Sequence, residues 1–262
     1  MKLFSQKPNS IRPLVLILIC FSINSCERAV KKAKTFSGEE EIVKQADQMF
    51  KAIGGKEAWC NLKSLYIKAE HHEPQMTLPY QSEIWRDIAK FDLVIEQQND
   101  SFHAKAVINK LGGTIRYYDK RDTLRVLSAD QLKEWEFEHE HNIYVLLHNL
   151  SCTPQDFEVK VDAEDRLAFY RDSIFYTSFE LDDQLRPYKF YIPNIEGKIT
   201  GSIFTHWGID EGLVHSAGGH PIDSSFTYRT EIWKPSVKSL RSSFEDSIFV
   251  IEKLQEIAIY LK

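Results

Sequence analysis

The sequence predicts an α+β fold that is mainly antiparallel β and built around one large curved sheet. From Phe169 to Trp233, apolar and aromatic residues recur at every second position. This period places one face of a strand against a core and the other face in water. Turn-forming pairs such as Pro193-Asn194 and Gly218-Gly219 interrupt the runs at short intervals, as expected for strands joined by hairpins. The aromatic inner face of such a sheet needs a covering helix, a second sheet or an apolar ligand.

The composition is that of a globular protein with one sizeable core. The chain has 262 residues, of which 43% are hydrophobic and 27% are charged. Residues 1–25 hold three of the 33 basic residues and no acid, so removing them changes the net charge from −5 to −8. This acidic balance argues against nucleic acid as a partner.

The N-terminus has the pattern of a secretory signal peptide over residues 1–25. Lys2, Lys7 and Arg12 precede a short apolar run, Leu14–Phe21, that is too short to span a membrane comfortably. The following Ile23-Asn24-Ser25-Cys26 resembles the lipobox of bacterial lipoproteins, with Asn24 as a departure from the usual small residue. The resemblance implies cleavage before Cys26 and acylation of its thiol, and hence an anchor in the cell envelope. The alternative is an ordinary cleaved signal in which Cys26 has no role.

Residues 26–38 are polar and lysine-rich and predict a tether between anchor and fold. A helix is expected next, because Ser37-Gly38-Glu39-Glu40 has the spacing of a capping box. Apolar residues follow at helical spacing as far as Ile53, and Gly54-Gly55 ends the run. A second helical turn is predicted at Lys56–Asn61.

Strands are predicted in two groups that flank a helical middle. The first group is Leu62–Ala69, Tyr80–Asp87, Phe91–Gln97, Phe102–Asn109 and Thr114–Tyr118. The second group is Phe157–Val161, Arg166–Tyr170, Ile174–Leu181, Arg186–Ile192, Lys198–Trp207 and Phe226–Trp233. Within them, Phe102, Ala104, Ala106 and Ile108 share one face.

The opening of the fold is similar to that of the LolA/LolB-like group of periplasmic lipoprotein carriers and receptors. The likeness rests on a helix ending in Ala52–Trp59, on the following Leu62–Leu65 and on the strand Glu83–Arg86. It implies a strongly curved half-open β-barrel of about 11 strands, with helices covering the concave face. It also implies a single domain over residues 39–262 and an apolar cavity for lipid or lipoprotein acyl chains.

The middle of the chain predicts one or two short helices. Ser128–Gln131 again has capping-box spacing, and apolar residues continue from Leu132 to Leu150. In the resemblance these helices form the lid over the cavity. The run Glu134–His141 mixes carboxylates and imidazoles, a mixture that can bind metal. We interpret it as a solvated acidic face, because alternating charges on a short segment are typical of one.

A second metal hypothesis concerns the segment from His206 to His220, which we interpret as a hairpin loop. His206, Asp210, His215 and His220 could serve a metal-dependent hydrolase, but their spacing fits no zinc signature. The sequence also contains no nucleophile elbow, P-loop or dinucleotide fingerprint. We therefore expect a protein that is not an enzyme and needs no cofactor.

Two cysteines and two C-terminal segments complete the prediction. Cys60 and Cys152 remain after the signal and the lipidation site are set aside, and they are either bridged or two buried free thiols. Ser236–Leu240 predicts a short surface helix. Ile248–Leu261 predicts a closing helix, with a strand as the alternative for its start.

The sequence thus favours a monomeric, lipid-anchored protein at the outer membrane or periplasmic face that holds a lipid or acylated amphiphile. The membrane is a partner through the acyl anchor, and nucleic acid is not. The alternative is a structural lipoprotein with a closed core that docks other envelope components. The residues expected to line the cavity are Ile67, Phe102, Tyr188, Phe190, Ile199, Ile203, Trp207, Phe226 and Tyr228.

Overall fold

The protein is built on one antiparallel sheet whose two ends do not meet. The structure, a computed structural model, describes residues 34–118 and 122–235. The strands of these residues are β1 Ser64–His72, β2 Tyr80–Asp87, β3 Asp92–Asn99, β4 Phe102–Asn109, β5 Gly112–Tyr117, β6 Thr123–Val126, β7 Phe157–Val161, β8 Leu167–Arg171, β9 Ile174–Leu181, β10 Pro187–Pro193, β11 Ile199–Asp210, β12 Leu213–Pro221 and β13 Thr227–Pro235. Their order is β6-β5-β4-β3-β2-β1-β13-β12-β11-β10-β9-β8-β7.

This architecture confirms the predicted fold class, with thirteen strands in the described residues instead of about 11. One extra strand, β6, is only four residues long and pairs with β5 at the edge of the sheet. The other, β12, lies where a hairpin loop was expected, so that part of the prediction was wrong. The true turn is only Glu211-Gly212, and both residues have positive φ angles of 49° and 83°. A two-residue turn of this kind matches the natural twist of a hairpin.

Helices in the described residues cover the concave face of the sheet. They are α1 Glu40–Ala52, α2 Lys56–Asn61, α3 Ala129–Glu140 and α4 Ile143–Cys152, with a 3-10 turn at Pro154–Asp156. None of them is both long and apolar enough to cross a membrane. The predicted signal peptide, Cys26 and the two C-terminal helices fall outside the described residues.

The first helix packs against strands of the second half of the sheet. Ala46, Met49 and Phe50 of α1 are buried, and the Phe50 ring lies 5.9 Å from that of Phe36. Phe36 in turn meets Phe169 of β8 at 5.2 Å. The predicted capping box at Ser37 was wrong, because Ser37 bonds to β7 through the carbonyl of Phe157 and leaves the α1 N-terminus without a side-chain cap.

The end of α1 is set by the glycine pair predicted from the sequence. Gly54 has a φ of 107°, a conformation that glycine adopts at no steric cost. A side chain at Gly54 would also collide with the Gly212 carbonyl in the β11–β12 turn. The amide of Val214 donates to the Ile53 carbonyl at 3.2 Å, so the helix end is joined directly to β12.

The short helices α2 and α4 are joined covalently and by hydrogen bonds. Cys60 and Cys152 form a disulfide between them, which resolves the two possibilities that the sequence left open. The His148 ring bonds through Nδ1 to the Trp59 carbonyl at 3.1 Å, and the Trp59 indole donates to the Ile53 carbonyl at 2.9 Å. These buried bonds fix α4 against the end of α1.

The helix α3 begins as predicted. The Ser128 hydroxyl accepts from the Gln131 amide, and the Gln131 side chain accepts from the Ser128 amide, which completes a capping box. Leu132 and Trp135 pack against a small apolar cluster of Phe91, Leu93, Ala106 and Ile108. This contact holds α3 over the first-half strands.

Candidate functional site

The concave face of the sheet carries a row of aliphatic side chains across neighbouring strands. Ile67 of β1 lies opposite Ile84 of β2, which lies opposite Ile95 of β3. The row continues through Ala106 of β4 to Ile115 of β5. Directly opposite residues share a face, so the five side chains form one continuous apolar strip below the helices.

Three cavities lie side by side along this concave face, and we call them together the groove. The central cavity has a volume of about 340 Å³. It is lined by Ile67, Ala69, His71, Ile84, Glu138, His141, Asn142, Ile143, Tyr144, Phe190, Ile192, Ser202, Phe204, Tyr228 and Thr230. The β10 cavity has about 330 Å³ and shares Glu138, His141 and Ile192 with the central one. The β4 cavity has about 210 Å³, and Trp135 of α3 is in its wall.

The helices form the outer wall of the groove at the junction between α3 and α4. Asn142 caps α4 by accepting from the Tyr144 amide at 3.1 Å, which forces the chain to change direction there. His141 is buried at the same corner and its ring stacks on Phe137 at 4.1 Å. This corner between α3 and α4 therefore lies at the wall shared by the central and β10 cavities.

Several polar side chains line the central cavity, and most of them already have hydrogen-bond partners. The Tyr228 hydroxyl lies 2.9 Å from the Ser216 hydroxyl. The His71 Nε2 atom lies 2.5 Å from the Ser82 hydroxyl, while its buried Nδ1 atom has no hydrogen-bond partner. Burial lowers the pKa of His71 to about 4, so the ring is neutral at pH 7.

His71 also belongs to an aromatic stack at the cavity wall. Its ring lies between Tyr80 at 4.8 Å and Phe226 at 5.4 Å, and both pairs are stacked. The Tyr80 hydroxyl donates to the Glu73 carboxylate at 2.9 Å. The two neighbouring rings therefore cover both faces of the His71 ring.

A buried arginine is hydrogen-bonded to the C-terminal end of α3. The Arg86 guanidinium on β2 donates to His139 Nδ1 at 2.9 Å. His139 must be neutral to accept this bond, and burial together with the charge of Arg86 lowers its pKa to about 3. The run Glu134–His141 is therefore not a solvated face throughout, since His139 and His141 are 4% and 8% exposed.

Two carboxylates of α3 face the groove. Glu138 lines the central and β10 cavities, and Glu134 lines the β10 cavity. Loss of hydration raises the pKa of Glu138, and Glu134 raises it further while Arg86 opposes the shift. No lysine or arginine among the described residues lines any of the three cavities.

Four of the residues expected to line a cavity lie at the groove. Ile67, Phe190 and Tyr228 line the central cavity, and Phe102 lines the β4 cavity. Phe226 is not in a cavity wall itself, but its ring stacks on the ring of His71. The role of these residues in binding a ligand stays a prediction.

Tyr188, Ile199 and Ile203 were assigned to the wrong face. Lys189 lies opposite Ile203, so Ile203 shares the outer face with Lys189, and Ile199 follows the same alternation. A register shift between Pro187 and Lys189 turns Tyr188 outward as well. Its hydroxyl donates to Glu180 at 2.5 Å, the same carboxylate that Lys189 reaches at 2.9 Å.

Trp207 also lies away from the three cavities. Register shifts between Phe204 and Trp207 interrupt the alternation of β11. The Trp207 ring meets Phe204 edge to face at 5.7 Å, and the Arg186 guanidinium lies 5.0 Å from its centre. Trp207 is thus part of the core boundary beside the groove.

The residues that sequence reasoning missed are mostly small or polar. Ser202 and Thr200 pair with Phe190 and Ile192 and therefore face the groove. Phe204 on the same face stacks on Phe190 at 5.3 Å. The alternation Thr200, Ser202, Phe204 marks this face in the sequence, but Ile199 and Ile203 on the opposite face are more apolar.

The histidine-rich segment does not converge on a single point. The buried His215 Nε2 lies 2.8 Å from the Asp210 carboxylate, and its ring stacks on Trp233 at 4.2 Å. His206 is exposed on β11, and His220 bonds through Nδ1 to the Pro221 carbonyl. In the described part of the chain, no three His, Cys, Asp or Glu side chains are grouped to hold a metal ion.

The fold is similar to that of two solved structures at low sequence identity. One is a DUF1329 family protein from Desulfovibrio piger, with 8% identity, a TM-score of 0.42, and coverage of 75% of this chain and 94% of that chain. The other is described as an outer membrane lipoprotein-sorting protein domain from Vibrio parahaemolyticus, with 9% identity, a TM-score of 0.43, and coverage of 78% and 96%. No family model and no curated protein matches the chain.

Proposed function

We propose that this protein is a lipid-anchored protein of the cell envelope that holds a lipid or another acylated amphiphile in its groove, without catalysing a reaction. The observation that carries the proposal is the pair of adjoining cavities of about 340 and 330 Å³, which share a wall on the concave face. Ligand sites of soluble proteins are concave, mostly apolar and of about this size, on the order of 300–1,000 Å³.

The chemistry of the walls supports an apolar tail as the main binding element. Ile67, Ile84, Phe190 and Ile192 supply aliphatic and aromatic surface in the central cavity. Removing apolar surface from water stabilises a complex by about 25 cal/mol per Å². Because such contacts have no direction, the site would accept tails of different length and branching. The same open volume disfavours the alternative of a protein with a closed core.

The disulfide supports the proposed location. Cys60–Cys152 joins two helices across 92 residues of sequence. Disulfides of this kind persist in oxidising compartments such as the bacterial envelope and are rare in reducing ones. The bond therefore agrees with export by the signal peptide that residues 1–25 predict.

The experiment is to count the lipid that the full-length protein carries without a covalent bond. The protein is purified from the envelope, extracted with organic solvent, and the extract is quantified by mass spectrometry. Covalently attached acyl chains stay on the polypeptide. We expect about one extracted lipid per wild-type chain, and several-fold less from Ser202→Trp, because the indole would occupy the central cavity.

A matched control is available on the neighbouring residue. Ile203→Trp places the same ring on the opposite face of β11, so its lipid content should equal that of the wild type. The proposal fails if the wild type yields no more lipid than Ser202→Trp. Equal losses in both variants would also count against it, because the effect would then not depend on the groove.

A further inference from the structure

The walls of the groove carry negative charge and no fixed positive charge. Glu134 and Glu138 are at the wall of the β10 cavity, and Glu138 reaches the central cavity too. The cavity linings include no lysine or arginine of the described residues. An anionic head group would meet two like charges there and no cation to pair with.

One buried cation offsets part of this negative charge, but it does not line the groove. Arg86 interacts electrostatically with Glu138, while its guanidinium donates to His139 and lines none of the three cavities. Lys133, on the same helix as the glutamates, lies 3.8 Å from Asp130 and is likewise outside the cavity walls. His71, in the central cavity, is neutral at pH 7.

The aromatic residues of the cavity walls favour the same kind of head group as the carboxylates do. Phe137 lines the β10 cavity beside Glu134 and Glu138. Tyr228 and Tyr144 are in the wall of the central cavity. The faces of aromatic rings attract ammonium groups, and the attraction grows when water is excluded. Carboxylates and ring faces next to an apolar cavity are the combination that an alkylammonium amphiphile needs.

We propose that the groove selects amphiphiles whose head group is a positively charged amine or quaternary ammonium, with the head at Glu134 and Glu138 and the tail in the central cavity. This inference rests on the proposed function, because it names the head group of the same ligand. The binding step is non-covalent and requires no co-reactant.

The test uses three probes with the same twelve-carbon tail, namely dodecyltrimethylammonium, dodecyl maltoside and laurate, each below its micelle concentration. Binding to the full-length protein carrying Cys26→Ser is measured by isothermal titration calorimetry. This substitution removes the acyl anchor, whose own chains could compete for the groove. We expect the ammonium probe to bind at least about tenfold more tightly than laurate, with the maltoside between them.

Charge-neutral variants locate the selectivity on α3. Glu134→Gln/Glu138→Gln should reduce the preference for ammonium over laurate to about threefold or less. Glu136→Gln/Glu140→Gln changes the net charge of the same helix by the same amount, but neither residue lines a cavity. This control should keep the full preference. Glu134→Gln alone serves if the double variant is poorly folded, since Glu134 is exposed.

The outcomes separate the two proposals. Laurate binding as tightly as the ammonium probe overturns the head-group inference, while the proposed function stands because an amphiphile is bound. An unchanged preference in Glu134→Gln/Glu138→Gln overturns the inference in the same way. If none of the three probes binds more tightly to the protein than to its Ser202→Trp variant, the proposed function itself fails.

Discussion

Two histidines on the concave side are held neutral by their surroundings. The pKa of His71 is lowered to about 4 and that of His139 to about 3, in both cases mainly because burial penalises the charged ring. His139 Nδ1 also accepts a hydrogen bond from Arg86, which protonation would remove. Both rings are therefore neutral in the folded protein at pH 7.

These shifts predict that the protein loses stability as the pH falls below about 6.5. In the unfolded chain both histidines gain a proton near their ordinary pKa of 6.5, whereas in the folded protein they stay neutral down to about 4 and 3. Lowering the pH through this window therefore favours unfolding, by at most about 1.4 kcal/mol per pH unit for each ring. Urea unfolding between pH 7 and pH 5 measures the slope.

Adjacent histidines provide the control for this prediction. His71→Gln should flatten the dependence on pH, because one of the two rings that cause it is gone. His72→Gln should change the slope much less, since the side chain of His72 is 55% exposed and acts on the pKa of His71 only as the smaller of its two causes. Equal slopes for the wild type and His71→Gln would contradict the assignment.

At the scale of single elements, the positions of the strands were predicted well. Which face of a strand lies on the concave side was predicted less well. The alternation in β1 and β4 gave the correct inner face, as the row from Ile67 to Ala106 shows. In β13 a bulge skips Glu231 in the pairing with β1, so that Trp233 is opposite Ile67. One extra residue reverses the faces of the rest of a strand. The sequence does not mark where such a residue is inserted.

The disulfide gives a prediction for the α2–α4 pair. Cys60→Ser/Cys152→Ser should lower the free energy of unfolding by up to about 4–5 kcal/mol, because the bond closes a loop of 92 residues in the unfolded chain. Thermal unfolding with and without dithiothreitol measures the effect. The reductant should lower the Tm of the wild type toward that of the variant and leave the variant unchanged. A wild type that is insensitive to full reduction would contradict the prediction.

At the scale of the whole fold, the sheet of the described residues has a closely packed half and an open half. In the closely packed half, Phe157, Phe169 and Phe179 are fully buried, and Phe36 connects this aromatic cluster to α1. In the open half, Ile95 and Ile115 are only partly buried and line the β4 cavity beside α3. One continuous sheet thus provides both the stability core and the space for a ligand.

This division predicts unequal costs for truncating side chains on the same concave face. Phe179→Ala should destabilise the protein by about 3–5 kcal/mol, because it opens a new void in a filled core. Ile95→Ala should cost less than about 2 kcal/mol, because it only enlarges a cavity that already exists. Urea unfolding of the two variants at pH 7 checks the difference. Equal costs would mean that the groove side is packed as tightly as the α1 side.

The sequence by itself determined the class of fold, the position of nearly every strand, the capped start of α3 and the glycine stop of α1. These features depend on local spacing, which a period of two or 3.6 records directly. Only the tertiary structure decided which face of β11 lines the groove, that Cys60 meets Cys152, and that His139 is buried on Arg86. The physical reason is that register shifts and helix placement depend on contacts between residues far apart in the chain, which no local pattern contains.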